Sequence, residues 1–157
     1  MSYHQEIAHH INSVIVGGGY QFAAQSDSGV LEVDMPSADT LAVSFESFLF
    51  KSDRLSNSDT GHLGRIADRL ASKLSYLLEP LRVIEIDGEA GAVQMRSHPP
   101  YQRESQTRYY EVLVQRGGSL SLGRYERLPG QPRRSIPATV THEVFYRLAD
   151  DFAAAVG

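Results

Sequence analysis

Three segments of the chain carry apolar residues at helical spacing, and each predicts a helix with one buried face. The first begins at Ser2, which forms the S-x-x-Q spacing of a capping box with Gln5, and ends at the glycines 17–19. The second spans about 61–78, and the third closes the chain. The N-caps and apolar stripes are Ser2 with Ile7, Ile11, Val14 and Ile15; Asp59 or Thr60 with Leu63, Ile66, Leu70, Leu74, Leu77 and Leu78; and Thr141 with Val144, Phe145, Leu148, Ala149, Phe152 and Val156.

Alternating apolar and polar residues predict strands at 30–35 and 41–50, and the short linker PSADT makes them an antiparallel pair. We expect Val33 to lie opposite Val43 on the apolar face of this pair. The segments LRVIEI and AVQMRS, which flank the turn DGEAG, predict a second hairpin. Each hairpin then has one face toward the core and one toward water.

The segment Arg108–Arg127 predicts a third hairpin, rich in tyrosine and arginine. Gly117-Gly118 suits a two-residue turn that needs positive φ at both central positions, and this turn sets the register of the strands. If its leucines face the core, the opposite face exposes two tyrosines beside two unpaired arginines. The expected cross-strand pairs are Tyr110 with Tyr125, Glu111 with Arg124 and Arg108 with Arg127.

The order of the elements predicts an α+β fold, because the strands come in hairpins rather than alternating singly with helices. We expect an antiparallel sheet of about six strands, with the N-terminal, central and C-terminal helices packed mainly on one face. A chain of 157 residues suits one core, and neither a linker nor an internal repeat divides it. The prediction is one domain over 1–157.

Composition is typical of a folded protein, with 41% hydrophobic and 22% charged residues. The chain has no cysteine, which excludes disulfides, thiolate nucleophiles and cysteine-bound zinc. The N-terminal segment lacks a basic leader, and no apolar run approaches the ~18 residues of a membrane span. We therefore expect a soluble cytoplasmic protein without a membrane partner.

Positive charge is concentrated in positions 96–134, although the net charge of the chain is −4. This segment holds eight arginines and only three glutamates, an excess that could attract an anionic partner. Arginine outnumbers lysine thirteen to two in the whole chain, so general residue usage explains the enrichment better than an anionic partner does. The arginines are Arg96, Arg103, Arg108, Arg116, Arg124, Arg127, Arg133 and Arg134.

No motif for catalysis, metal or cofactor binding stands out. Histidines lie five and six residues apart on the first helix, and His142-Glu143 is not followed by the second histidine of a zinc H-E-x-x-H pattern. The glycines 17–19 follow a helix rather than a strand, so they fit a helix end better than a phosphate loop. No G-x-S-x-G turn places a serine nucleophile. We predict no catalytic residue, no metal site and no cofactor.

The tyrosine and arginine residues remain as a candidate binding surface. Such a set suits a protein interface, and it also suits single-stranded nucleic acid through stacking and phosphate neutralisation. Tyrosine is common on ordinary strands as well, so a plain sheet surface is a third interpretation. A small-molecule or enzymatic pocket between sheet and helices, near His98 or His142, is a further alternative. The candidate binding residues are Arg108, Tyr110, Tyr125, Arg127, Arg133 and Arg134.

The order helix, hairpin, helix, strands and terminal helix resembles that of type III secretion chaperones. The resemblance implies a dimeric protein that binds unfolded effector segments, although it covers element order only and transfers no residue. Together with the missing catalytic motifs, the hairpin favours a non-enzymatic protein-interaction domain that forms a homodimer. The alternative is an anion or nucleic-acid binder that uses positions 96–134.

Overall fold

The computed structural model describes residues 1–157 and contains three α-helices and twelve strands. Two 3₁₀ helices, Asp53–Leu55 and Leu74–Leu77, flank the central α-helix. The elements are α1 (Tyr3–Ile15), β1 (Gln21–Gln25), β2 (Val30–Asp34), β3 (Ser37–Ala38), β4 (Ala42–Phe45), β5 (Ser47–Lys51), α2 (Thr60–Lys73), β6 (Leu81–Asp87), β7 (Ala92–Ser97), β8 (Tyr101–Arg103), β9 (Gln106–Gln115), β10 (Ser119–Arg127), β11 (Arg134–Ile136), β12 (Ala138–Thr141) and α3 (His142–Ala155).

The α+β class is confirmed, and the antiparallel sheet is larger than expected. Nine strands form the main sheet, in the order β1-β2-β5-β10-β9-β7-β6, with β11 beside β10 and β8 beside β9. The strands β12, β4 and β3 form a second sheet of three strands. The alternation of residues predicts about six strands, and most of the additional strands in the structure are short ones in segments that were expected to be loops.

The helix starts follow the capping residues. Ser2 and Gln5 form the capping box of α1, and Asp59 accepts a hydrogen bond from the His62 N–H at the start of α2. Thr141 caps α3 through the Val144 N–H. At the other end of the central segment, Leu78 has a φ of +64° and is 88% exposed, so its expected place on the apolar stripe is wrong.

The three helices and the main sheet share one hydrophobic core of 34 buried residues. Its centre is an aromatic group in which the rings of β4 and β5 meet those of α3, with centroids 5.0–5.8 Å apart. Edge-to-face contacts at these distances add to the burial energy. The four residues are Phe45, Phe48, Phe145 and Phe152.

The predicted pairing of positions 30–35 with 41–50 is wrong, because the second segment is two strands in two sheets. Val33 pairs with Phe48 of β5, whereas Val43 belongs to β4 and pairs with Val140 of β12. The buried positions shift from odd numbers in β4 to even numbers in β5, and Glu46 lies at the change. This shift turns the chain from the small sheet into the main sheet.

The predicted register of the tyrosine and arginine hairpin is wrong by one residue. Gln115 pairs with Ser119, so the turn contains three residues and not two. The Gly118 N–H closes the turn by donating to the Gln115 carbonyl at 3.1 Å, and Gly118 has a φ of +108°. Gly117, by contrast, does not adopt a positive φ. Three-residue hairpins with one residue of positive φ are a common alternative to the two-residue type.

Candidate protein-interaction surfaces

The open face of the β9–β10 hairpin carries two stacked tyrosines between two arginines. Tyr109 and Tyr125 are cross-strand partners, and their ring centroids are 5.9 Å apart at an angle of 27°. The Arg96 guanidinium lies 4.6 Å from the centre of the Tyr109 ring, and that of Arg133 lies 4.1 Å from the Tyr125 ring. Cation–π contacts therefore cover both ends of the stack.

A carboxylate joins the two arginines of this stack. Arg96 donates to Glu111 at 3.2 Å, and Arg133 donates to the same oxygen. The hydrogen bond to Glu111, with one to Tyr109, holds the pKa of Arg133 above its usual range. We call these five residues the Arg/Tyr stack. Its internal contacts leave little aromatic surface free, and Tyr109 is only 6% exposed.

The one-residue shift places Tyr110 on the core face, so its expected exposure is wrong. Its ring lies 4.2 Å beneath the Arg124 guanidinium, and burial raises its pKa. Arg124 in turn donates to both carboxylate oxygens of Glu79, at 2.9 and 3.4 Å. The expected pair of Glu111 with Arg124 is therefore wrong as well, since Glu111 lies opposite Gly123.

A second carboxylate, Glu126, joins the hairpin to β11. It is 1% exposed and accepts hydrogen bonds from Arg108 at 2.8 Å and from the Arg134 Nε at 3.1 Å. The bonds from Arg134 and Arg108 lower the pKa of Glu126. Arg108 therefore does not face Arg127, which lies opposite Thr107 at the exposed end of β10 and forms no ion pair.

The structure thus divides the six candidate binding residues among different environments. Arg108 and Arg134 meet at Glu126, Tyr125 and Arg133 belong to the Arg/Tyr stack, Tyr110 is buried, and Arg127 is exposed. Whether any of them binds a partner stays a prediction. Spacing alone could not find Glu79 or Arg96, because both reach the hairpin from other elements.

The edge strand β6 carries an apolar surface that sequence reasoning did not single out. This strand is the last of the main sheet and pairs only with β7. Val83, Ile84 and Ile86 are 41%, 47% and 58% exposed. The charged residues between them are of the kind that protects a free edge, whereas exposed aliphatic residues on an edge favour pairing with another strand.

The opposite edge of the sheet has a different character. The exposed side chains of β1 are Gln21, Ala23 and Gln25. The Gln25 N–H is already bonded to the Glu6 carboxylate of α1 at 2.8 Å. One edge of the sheet is therefore polar and partly covered, whereas the β6 edge exposes aliphatic side chains between charged ones.

The chain was also compared with known proteins. No family model, curated protein or solved structure matched it. The likeness in element order to type III secretion chaperones therefore stays an expectation.

Cavities, metal ligands and membrane spans add no further site. A cavity of about 730 Å³, which is open and lined mainly by polar residues, lies where the β9–β10 turn meets the ends of β1, β2 and β5. Neither His98 nor His142 lines it. No three His, Asp or Glu side chains converge as metal ligands would. The helices of this protein are too short or too polar to cross a bilayer.

Proposed function

We propose that this protein is a non-enzymatic interaction domain that acts as a homodimer. The observation that carries the proposal is the free edge at β6, where Val83, Ile84 and Ile86 are exposed beside unpaired backbone groups. An edge of this kind gains stability when another strand pairs with it, because the backbone groups find partners and apolar area leaves water.

The arrangement of the arginines supports a protein partner more than a nucleic acid. Five of the eight arginines in positions 96–134 form ion pairs with a carboxylate, so the local positive charge is partly neutralised. The rings of Tyr109 and Tyr125 are occupied by each other and by guanidinium groups, whereas base stacking needs a free aromatic face. Polar, open cavities likewise give little support to a small-molecule site.

Light scattering on the purified chain tests the proposal. The expected mass is about twice the 17.4 kDa of one chain, over a range of protein concentrations. A strict monomer at every concentration would contradict it.

A parallel titration with a single-stranded oligonucleotide at low salt tests the alternative. Counterion release makes such binding fall steeply with added salt. We expect no binding of this kind. Tight, salt-sensitive binding would favour the anion-binding alternative instead.

A further inference from the structure

The β6 strand contains a bulge at Ile84 that divides it into two halves. Leu81 and Val83 pair with Ser97 and Met95, but the next pair is Glu85 with Gln94, so Ile84 is an extra residue. A bulge of this kind changes which face the following side chains occupy.

Two pairs of positions, with one member on each side of the bulge, carry similar residue types on the same face of the sheet. Val83 and Ile86 pair with the core residues Met95 and Val93, so both lie on the helix-covered face. Arg82 pairs with Arg96 and Asp87 pairs with Ala92, so both lie on the open face. Glu85 pairs with Gln94 on the open face as well and has no counterpart before the bulge, so the match is limited to Arg82 with Asp87 and Val83 with Ile86.

Arg82 and Asp87 carry opposite charges, and neither forms an ion pair within the chain. Arg82 lies directly opposite Arg96 and forms no ion pair. Asp87 accepts hydrogen bonds only from the backbone of Glu89 and Ala90 in the following turn. Like charges opposite each other are unfavourable, so Arg82 would be stabilised by a carboxylate on its free side.

We propose that β6 pairs antiparallel with β6 of a second copy of this chain, about a two-fold axis between Ile84 and Glu85. In this register Arg82 lies opposite Asp87 of the second copy, and Val83 lies opposite Ile86 of the second copy. Each contact occurs twice because of the symmetry. The inference rests on the proposed homodimer and states which strand and which register form it.

The bulge decides the register. In a regular strand a two-fold axis between two residues would place side chains of opposite faces against each other, because faces alternate with every residue. In β6 the extra residue Ile84 brings side chains of the same face opposite each other again. Arg82 then lies opposite Asp87 on the open face, and Val83 lies opposite Ile86 on the helix-covered face. The two main sheets would become continuous, with both Arg/Tyr stacks on the same side.

Cysteine cross-linking tests this register cleanly, since the chain has no cysteine of its own. Facing residues of antiparallel strands have Cα atoms about 4.5–5.5 Å apart, within the range of a disulfide. We expect Val83→Cys mixed with Ile86→Cys to give a covalent dimer under mild oxidation, and neither variant to do so alone. Ala23→Cys, on the β1 edge, is the matched control and should stay uncross-linked.

Reversal of the charge at Arg82 tests the same register without relying on the formation of a disulfide. Arg82→Asp places two pairs of aspartates opposite each other, and we expect the dissociation constant of the dimer to rise by roughly tenfold. Arg103→Asp, at an exposed arginine without an ion pair, is the matched control and should leave the constant unchanged. Circular dichroism confirms that each variant is folded.

The results of these experiments distinguish a failure of the β6 register from a failure of the proposed homodimer. A dimeric native mass without the mixed cross-link, or with either single variant cross-linking to itself, would overturn the β6 register and leave the homodimer standing. A monomeric native mass would overturn both. An unchanged dissociation constant in Arg82→Asp would also overturn the register.

Discussion

At the scale of single residues, the arginines and tyrosines in and around the β9–β10 hairpin mainly contact carboxylates and rings of the same chain. Glu111 and Glu126 each form ion pairs with two arginines, and Glu79 forms one with Arg124. The sequence predicted that tyrosine and arginine would concentrate in one hairpin, and this is confirmed. It could not predict the pairings, because the partners of the hairpin come from β7, β11 and the segment after α2.

Glu126 should make the stability of the protein depend on acidic pH. Its pKa is lowered in the fold by hydrogen bonds from Arg134 and Arg108, so its contribution is complete above the ordinary pKa of a glutamate. That contribution is lost as pH falls through the lower pKa of the folded state. We expect Glu126→Gln to unfold at lower denaturant concentration at neutral pH, and to show a shallower loss of stability in the acidic range.

Denaturant unfolding of both proteins at several pH values measures this difference. Glu143→Gln is a suitable control, because Glu143 is exposed and pairs only with Arg147 one helical turn away. Equal acid sensitivity of the wild type and Glu126→Gln would contradict the role given to Glu126.

At the scale of elements, the hydrophobic pattern of β9 and β10 predicts the correct register of the hairpin, whereas the Gly-Gly turn suggests the wrong one. A two-residue turn places Val114 opposite Ser121, which separates the valines of β9 from the leucines of β10. A three-residue turn places Val114 opposite Leu120, and the apolar residues then share one face, as the structure has them. Burial of these side chains outweighs the preference of Gly-Gly for the shorter turn.

The two glycines of this turn should respond differently to substitution. Gly118 has a φ of +108°, and an added Cβ would lie 3.1 Å from the Ser52 carbonyl oxygen. We expect Gly118→Ala to lower the free energy of unfolding by about 1–3 kcal/mol. Gly117→Ala meets nothing within 4 Å and is the matched control. Equal stability of the two variants in denaturant unfolding would show that the turn does not have this geometry.

The split of positions 41–50 into two strands could also have been found in the sequence. Val43 and Phe45 are apolar at odd positions, whereas Phe48 and Phe50 are apolar at even positions. A continuous strand cannot bury both sets on one face, since faces alternate with every residue. The change from odd to even apolar positions at Glu46 therefore indicates that one strand ends there and another begins. The prediction of one strand over 41–50 did not take this change into account.

At the scale of the whole molecule, the fold class was predictable because it depends on local patterns. The helix caps, most of the apolar stripe positions and the hairpins β6–β7 and β9–β10 are found in the structure. The order of strands was not predictable, because it depends on which distant strands meet in the core. For the same reason the sequence could not show that the strand with Val83, Ile84 and Ile86 lies at an edge.

The most direct test of the β6 interaction surface is the native mass of an edge variant. In Val83→Lys/Ile86→Lys, two lysines occupy the apolar edge, and charge on an edge opposes pairing. Sedimentation velocity should give a dimer for the wild type and for Ala23→Lys on the opposite edge. We predict that the double variant is a monomer with an unchanged circular dichroism spectrum; a double variant that sediments as the same dimer as the wild type would contradict the assignment of β6 as the interface.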